Sequence, residues 1–342
     1  MPAITACLRL GALLAVSLAP LSAQPDPAAQ KAAAEAIVAR SIMHKIITDE
    51  AGNVTHLAFS NHTAFWDKSK GEPPEPLSAE IFRQHILALP KLQAIAIERQ
   101  KFNDADYAAL GQLKELRDVR LHYLWGTKQE GQATKDAPLF INELPLPLTV
   151  LELKHNFGIE GGCMEKLKPQ PELEKLELDT GYCTNDAVPF IIQSPKIRNL
   201  QLHRTTITDD QFQSMLAALP NLEMLEVRPN GPKDNPITGR SLRGLKNNPK
   251  LVFLSISLQW KELPFEGGLD VFVDHPGIKF LSLRPQDLKG FSIDDPAVQK
   301  LHQARPDILI RAGDKSVGGE AGAKPPQIDA EFNWDGGVTT HG

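Results

Sequence analysis

Glu152 and Glu177 are the side chains whose type and spacing come closest to catalytic chemistry, and Asp179 lies two residues past the second. Two carboxylates roughly 5–9 Å apart cleave glycosidic bonds, one as acid and the other as base or nucleophile. Lys154 and Lys175 accompany the pair. The same four residues also make a plain ion-pair network on an open, wet surface, with no catalysis at all. His122 and His203 are the other titratable candidates, and Cys163 and Cys183 the thiols. None of them falls in a zinc spacing, and neither HExxH nor a CxxC pair occurs. GxSxG, Walker A and GxGxxG patterns are missing too, so no cofactor and no metal is expected.

Whether these groups meet depends on the elements that carry them. An apolar residue followed by apolar residues three and five positions later recurs along the chain. Its starts are Leu92, Leu116, Leu148, Leu173, Ile197, Leu222, Leu251 and Ile278, separated by 24, 32, 25, 24, 25, 29 and 27 residues. That is the LxxLxL strand core at a leucine-rich-repeat period. Between strands a helical half is readable. After Ile207, Thr208 and Gln211 are placed as a capping box, and Phe212, Met215, Leu216 and Leu219 form one helical face before Pro220. The pairs Ile207 with Phe212, Phe102 with Tyr107, and Ile237 with Leu242 are spaced as hydrophobic staples. Cys183 occupies the staple position of its coil and Cys163 an inward helical position, so two buried thiols are expected, with a disulfide between them as the alternative.

These residues resemble the leucine-rich-repeat family of the ribonuclease-inhibitor-like, bacterial exported type, over about residues 54–310. The resemblance implies an α/β leucine-rich-repeat solenoid, a horseshoe with parallel strands on the concave face and helices on the convex face. It implies a protein or peptide ligand held on the concave face. One departure stands out. The family's asparagine eight positions after the strand start is present at Asn156 and Asn230, whereas the other copies carry Gln100, Leu124, Gly181, Thr205, Gln259 and Gln286.

Side chains alternate along a strand, so residues two, four and six after each start face outward. The first of these columns places Met224, Phe253 and Phe280 in a row. Glu226, Arg228 and Arg284 surround it. An apolar anchor with a charged rim is the anatomy of a partner-binding patch, and these six residues are the candidate site. Stacked aromatics that merely stabilise neighbouring strands, or a tail folded over them, explain the row equally well. Glu152 and Glu177 fall side by side on adjacent strands, about 5 Å apart.

The remaining expectations concern the ends and the location. Arg9 is the only charged side chain before Asp26, and residues 10–21 are apolar up to Ser22-Ala23-Gln24. This reads as a cleaved signal peptide over 1–23, with no membrane span after its removal and a periplasmic or extracellular location. Residues 24–60 read as a helix and capping hairpin, 61–310 as the solenoid, and 311–342 as a disordered tail. A net charge of -5 argues against nucleic acid as a partner. The alternatives to a non-enzymatic binding module are an envelope scaffold, a glycan-acting enzyme, and a ubiquitin-ligase-type adaptor.

Overall fold

A computed structural model of the chain describes residues 25–123, 139–154, 163–179, 183–229, 237–258, 264–284 and 291–319. The expected signal segment lies outside the described residues, as do Asn156, Asn230 and 320–342 of the expected tail.

Twelve strands form one open sheet in strict chain order. They are β1 (Met43–Thr48), β2 (Val54–Ser60), β3 (Ala94–Glu98), β4 (Asp118–His122), β5 (Val150–Lys154), β6 (Lys175–Asp179), β7 (Asn199–Thr205), β8 (Met224–Pro229), β9 (Phe253–Ile256), β10 (Phe280–Leu283), β11 (Leu309–Ala312) and β12 (Lys315–Val317). Strands β2 to β11 pair in parallel. Both ends close antiparallel, β1 on β2 and β12 on β11. The register follows the repeat. Ala94, Asp118, Val150, Lys175, Asn199, Met224, Phe253, Phe280 and Leu309 stand opposite one another strand after strand. Each LxxLxL copy turns its three apolar side chains into the interior, where none is more than 1% exposed. Burying such a side chain stabilises by roughly 2 kcal/mol relative to leaving it in water, and no single coil can do so alone.

The layer behind the sheet holds the expected helices, though not in every coil. It carries α2 (Ala79–Ile86), α3 (Asp104–Tyr107), α4 (Val188–Ile192), α5 (Asp209–Ala218) and α6 (Pro296–Ala304), while α1 (Pro27–Val38) precedes the hairpin. The other coils return through 3-10 turns, the longest over Gly239–Asn247. There the buried Leu242, Leu245 and Asn248 recur every three residues, which lines them up along one face at three residues per turn. Gly244 sits against Leu216 of the coil before, where an added Cβ would come within 3.0 Å of Leu216 Cδ1.

The capping box also differs. Thr208 is the N-cap of α5, but its side chain makes no capping bond. Polar bonds run between coils instead. Asn185 Oδ1 accepts from Thr208 N at 3.1 Å, and Asp209 accepts from Thr238 N at 2.8 Å and Thr238 Oγ1 at 2.6 Å. A reciprocal box does occur with other residue types, where Asn103 N donates to Asp106 Oδ2 and Asp106 N to Asn103 Oδ1.

Two of the residues at the asparagine position, Gln100 and Thr205, are described, and both bond to backbone groups. Buried Gln100 accepts from Leu77 N and donates to Glu98 O. Buried Thr205 donates to Cys183 O and accepts from Ile207 N. The tail expected from 311 is structured through 319. Gly313, at φ 63°, turns β11 into β12, a backbone shape that glycine adopts without strain. Among the described residues no helix is long and apolar enough to cross a membrane.

Candidate functional site

Strands β4 to β8 carry a continuous chain of charges on the outward face. Arg120 donates to Asp118 through Nε at 2.9 Å and Nη2 at 2.8 Å, and its Nη1 stands 3.4 Å from Glu152. Around Glu152 gather Lys175 Nζ at 2.9 Å, His122 Nε2 at 2.9 Å and Lys154 Nζ at 3.3 Å. Lys154 continues to Glu177 at 2.7 Å. His203 then lies between Glu177 at 3.7 Å and Glu226 at 3.9 Å, and Arg228 pairs with Glu226.

The expectation of an open, wet network is corrected here. Glu152 and Glu177 are each 3% exposed and Arg120 5%. Adjacent strands bring long side chains so close that they lie over one another and exclude water. Burial by itself pushes the Glu152 carboxyl up. The ammonium groups of Lys154 and Lys175, the His122 hydrogen bond and Arg120 outweigh it and hold the carboxyl well below its usual range. For Asp118 burial wins over the Arg120 bonds and the pKa is raised. For His203 burial outweighs the nearby glutamates, and its pKa is lowered.

This geometry bears on the glycosidase reading. Glu152 and Glu177 do stand opposite each other across β5 and β6. A general acid must hold a proton near neutral pH. Glu152 is ionised and bonded on every side, and Lys154 fills the space that a sugar would need between the two carboxylates. Lys154 bridges the two carboxylates. Cys163 and Cys183 are buried, and neither forms a disulfide. Burial pushes the Cys183 thiol up to about 12, which makes it a poor nucleophile.

The late strands differ in kind. Met224, Phe253, Phe280 and Leu309 form one register row across β8 to β11. The Phe253 and Phe280 rings stack at 4.8 Å and 12°. They are only 5% and 8% exposed, so the row presents less open apolar surface than its sequence suggests, while Met224 and Leu309 are half-buried. Ser255 and Ser282 form the next row, between Glu226 and Arg311. Arg228, Arg284 and Arg311 are exposed. Among the described residues from β8 to β11, Glu226 is the one strand acid, beside Arg228, Arg284 and Arg311. Burial, then Arg228 and Arg311, lower the pKa of Arg284, so the guanidiniums sense one another.

Leu309 and Arg311 are the site residues that sequence reasoning missed. The coil that carries them starts at Asp307 instead of an apolar residue, so the LxxLxL pattern breaks. Ile310 and Ala312, two apart and 29 residues beyond the Leu281 and Leu283 pair, are the signal that marks it.

No family model matches the chain, and no curated protein matches it. Some solved structures are similar to the chain at low identity. An internalin from Listeria monocytogenes is 13% identical, covers 85% of this chain and 92% of its own, and has a TM-score of 0.39. A protein from Bacteroides fragilis is 16% identical, with coverages of 70% and 77% and a TM-score of 0.37. The chain from a TLR13–ssRNA13 complex is 14% identical with a TM-score of 0.37, and 65% of this chain matches about a third of that one, 32%. The assignment rests on this chain's own features. Eight copies of LxxLxL at a period of 24 to 32 residues stack in one parallel register with their leucines inward, and the chain is therefore a leucine-rich-repeat solenoid of the α/β class.

Proposed function

We propose that the chain is an exported, non-enzymatic binding module that takes a protein or peptide partner on the late part of its strand face. The observation that carries this reading is a contrast along one surface. From β4 to β7 the charges answer one another, with Arg120, Glu152, Lys175 and Glu177 buried. From β8 to β11 three exposed arginines flank an apolar row, and among the described residues of these strands Glu226 is the one acid beside them. A surface of the second kind favours a ligand with an apolar or aromatic side chain and neighbouring carboxylates, since Arg pairs with carboxylates in a planar fork. Met224, Phe253 and Phe280 would receive the apolar group, and Arg228 and Arg284 the acid, with Glu226 orienting Arg228. Export is inferred from the apolar segment at residues 10–21.

The test is selection from a random displayed-peptide library with the full chain as bait. Peptides that combine aromatic and acidic residues should be enriched. Phe253→Ser/Phe280→Ser and, separately, Arg284→Glu should each lower that enrichment at least tenfold. Enrichment that survives both variants places the ligand elsewhere and sinks the reading.

A further inference from the structure

The same patch has a candidate occupant within the chain. After β12 the backbone passes through Gly318 and Gly319, both left-handed at φ 76° and 67°. Gly319 N donates to Pro306 O at 2.9 Å. A Cβ built on Gly319 would lie 2.7 Å from Leu309 Cβ. Leu309 is the last member of the Met224, Phe253, Phe280 row, and its chain neighbour Ile310 points into the core. The chain therefore leaves Gly319 against Leu309, at the end of the apolar row. A side chain at Gly318 would strike Ile308 O at 2.3 Å, so the turn that aims the chain here depends on glycine.

The sequence beyond Gly319 carries groups complementary to the exposed arginines and the apolar row. Residues 320–342 contain four acids, Glu320, Asp329, Glu331 and Asp335, against one lysine, Lys324. Phe332 and Trp334 sit among the last three acids. Leu309 to Met224 is three strand spacings, about 14 Å. Thirteen residues from 320 to 332 reach about 40 Å when extended, so length is no obstacle.

We propose that segment 320–342 docks in cis on the Met224–Phe253–Phe280–Leu309 row. Phe332 and Trp334 lie on the apolar side chains, and Asp329, Glu331 and Asp335 pair with Arg228, Arg284 and Arg311. The segment then competes with any outside ligand, so the binding face is self-occupied until a stronger partner displaces the tail. This extends the binding reading above and rests on the same patch.

Disulfide trapping in the full chain tests it. Cys7 is changed to serine, and Cys163 and Cys183 are buried and do not compete. Ser282→Cys with Asn333→Cys, and in parallel Ser255→Cys with Asn333→Cys, are oxidised mildly beside a distant control, Ser69→Cys with Asn333→Cys. The expected result is an intramolecular bond in at least one patch pair, formed ten times faster than in the control. Adding Arg284→Glu should slow it at least fivefold. Rates equal to the control, bonds only between copies, or no response to Arg284→Glu overturn the proposal. Repeating the peptide selection with Phe332→Ala/Trp334→Ala separates the two readings. A trapped tail without peptide enrichment in either bait retires outside binding and leaves self-docking standing; enrichment without trapping does the reverse.

Discussion

Glu152→Gln is the most informative single change, because it removes one charge and almost no volume. The buried cluster holds Arg120, Lys154 and Lys175 against Asp118, Glu152 and Glu177, three cations facing three acids. The substitution leaves three against two. Removing one partner of a buried ion pair costs about 3–5 kcal/mol, since the other charge stays buried. The structure argues for the lower end. The Lys154 side chain is 24% exposed and can turn toward water, and Asp118 keeps both of its bonds to Arg120. Lys175 is 10% exposed and loses its 2.9 Å bond to Glu152, so it bears most of the penalty. The expected loss is about 3 kcal/mol at pH 7. Glu152→Gln/Lys175→Met restores the balance at two against two and should recover more than half of that loss. Urea unfolding followed by circular dichroism gives the totals. Amide exchange in β4 to β6 shows whether the damage is confined to those coils, since repeat arrays need not unfold in one step. A loss under about 1 kcal/mol, the scale of an exposed pair, would falsify the picture of a closed network.

Other outcomes rest on single features. His275 is 4% exposed and its Nδ1 accepts from Gly277 N and Ile278 N, so the folded chain holds it neutral and burial lowers its pKa. A lowered folded pKa means stability that is present above the unfolded value of about 6.5 and lost as pH falls through the folded one. Unfolding midpoints measured from pH 7.5 to 5.0 should decline, and His275→Asn should flatten that decline; an identical slope refutes the assignment. Gly277→Ala should cost more than about 2 kcal/mol by overpacking, because a Cβ there would lie 2.5 Å from Pro249 O and 2.7 Å from Leu251 O. Gly71 has nothing within 4 Å and positive φ, so alanine there should cost only its backbone strain, and equal midpoints for the two variants would contradict overpacking at Gly277. Cys183 should resist a thiol reagent at pH 8 in the native chain and react once urea unfolds its coil; native labelling would show that the thiol is not sealed.

The sheet was legible because its signal is repeated. A single Leu-x-x-Leu-x-Leu is weak, but eight at one period determine which residues point in, which point out, and which stand side by side. Glu152 beside Glu177 and Phe253 beside Phe280 both came from that arithmetic alone. The return segments were less legible. Leu242 and Leu245 read equally as α-helix or 3-10 helix, and packing against α5 decides between them. The environment of the charges was not legible at all, because a glutamate looks the same in a sequence whether water or three cations surround it. The last hairpin was hidden for a local reason: Gly313, Gly318 and Gly319 signal disorder by composition but here serve two tight turns.

The antiparallel strands at the two ends set a limit on how the array can change. A further coil needs a parallel neighbour running the same way, and β1 and β12 run the wrong way. Their outward-facing edges are short and carry exposed His44, Lys45, Lys315 and Ser316, which discourages strand addition by another chain. Continuation of one copy's sheet by another is therefore disfavoured at both edges. Lengthening must happen in the interior, by duplicating a whole strand-and-return unit between β3 and β10. Such a duplication leaves both terminators in place, and it moves the arginine patch relative to the buried ion network by one strand at a time.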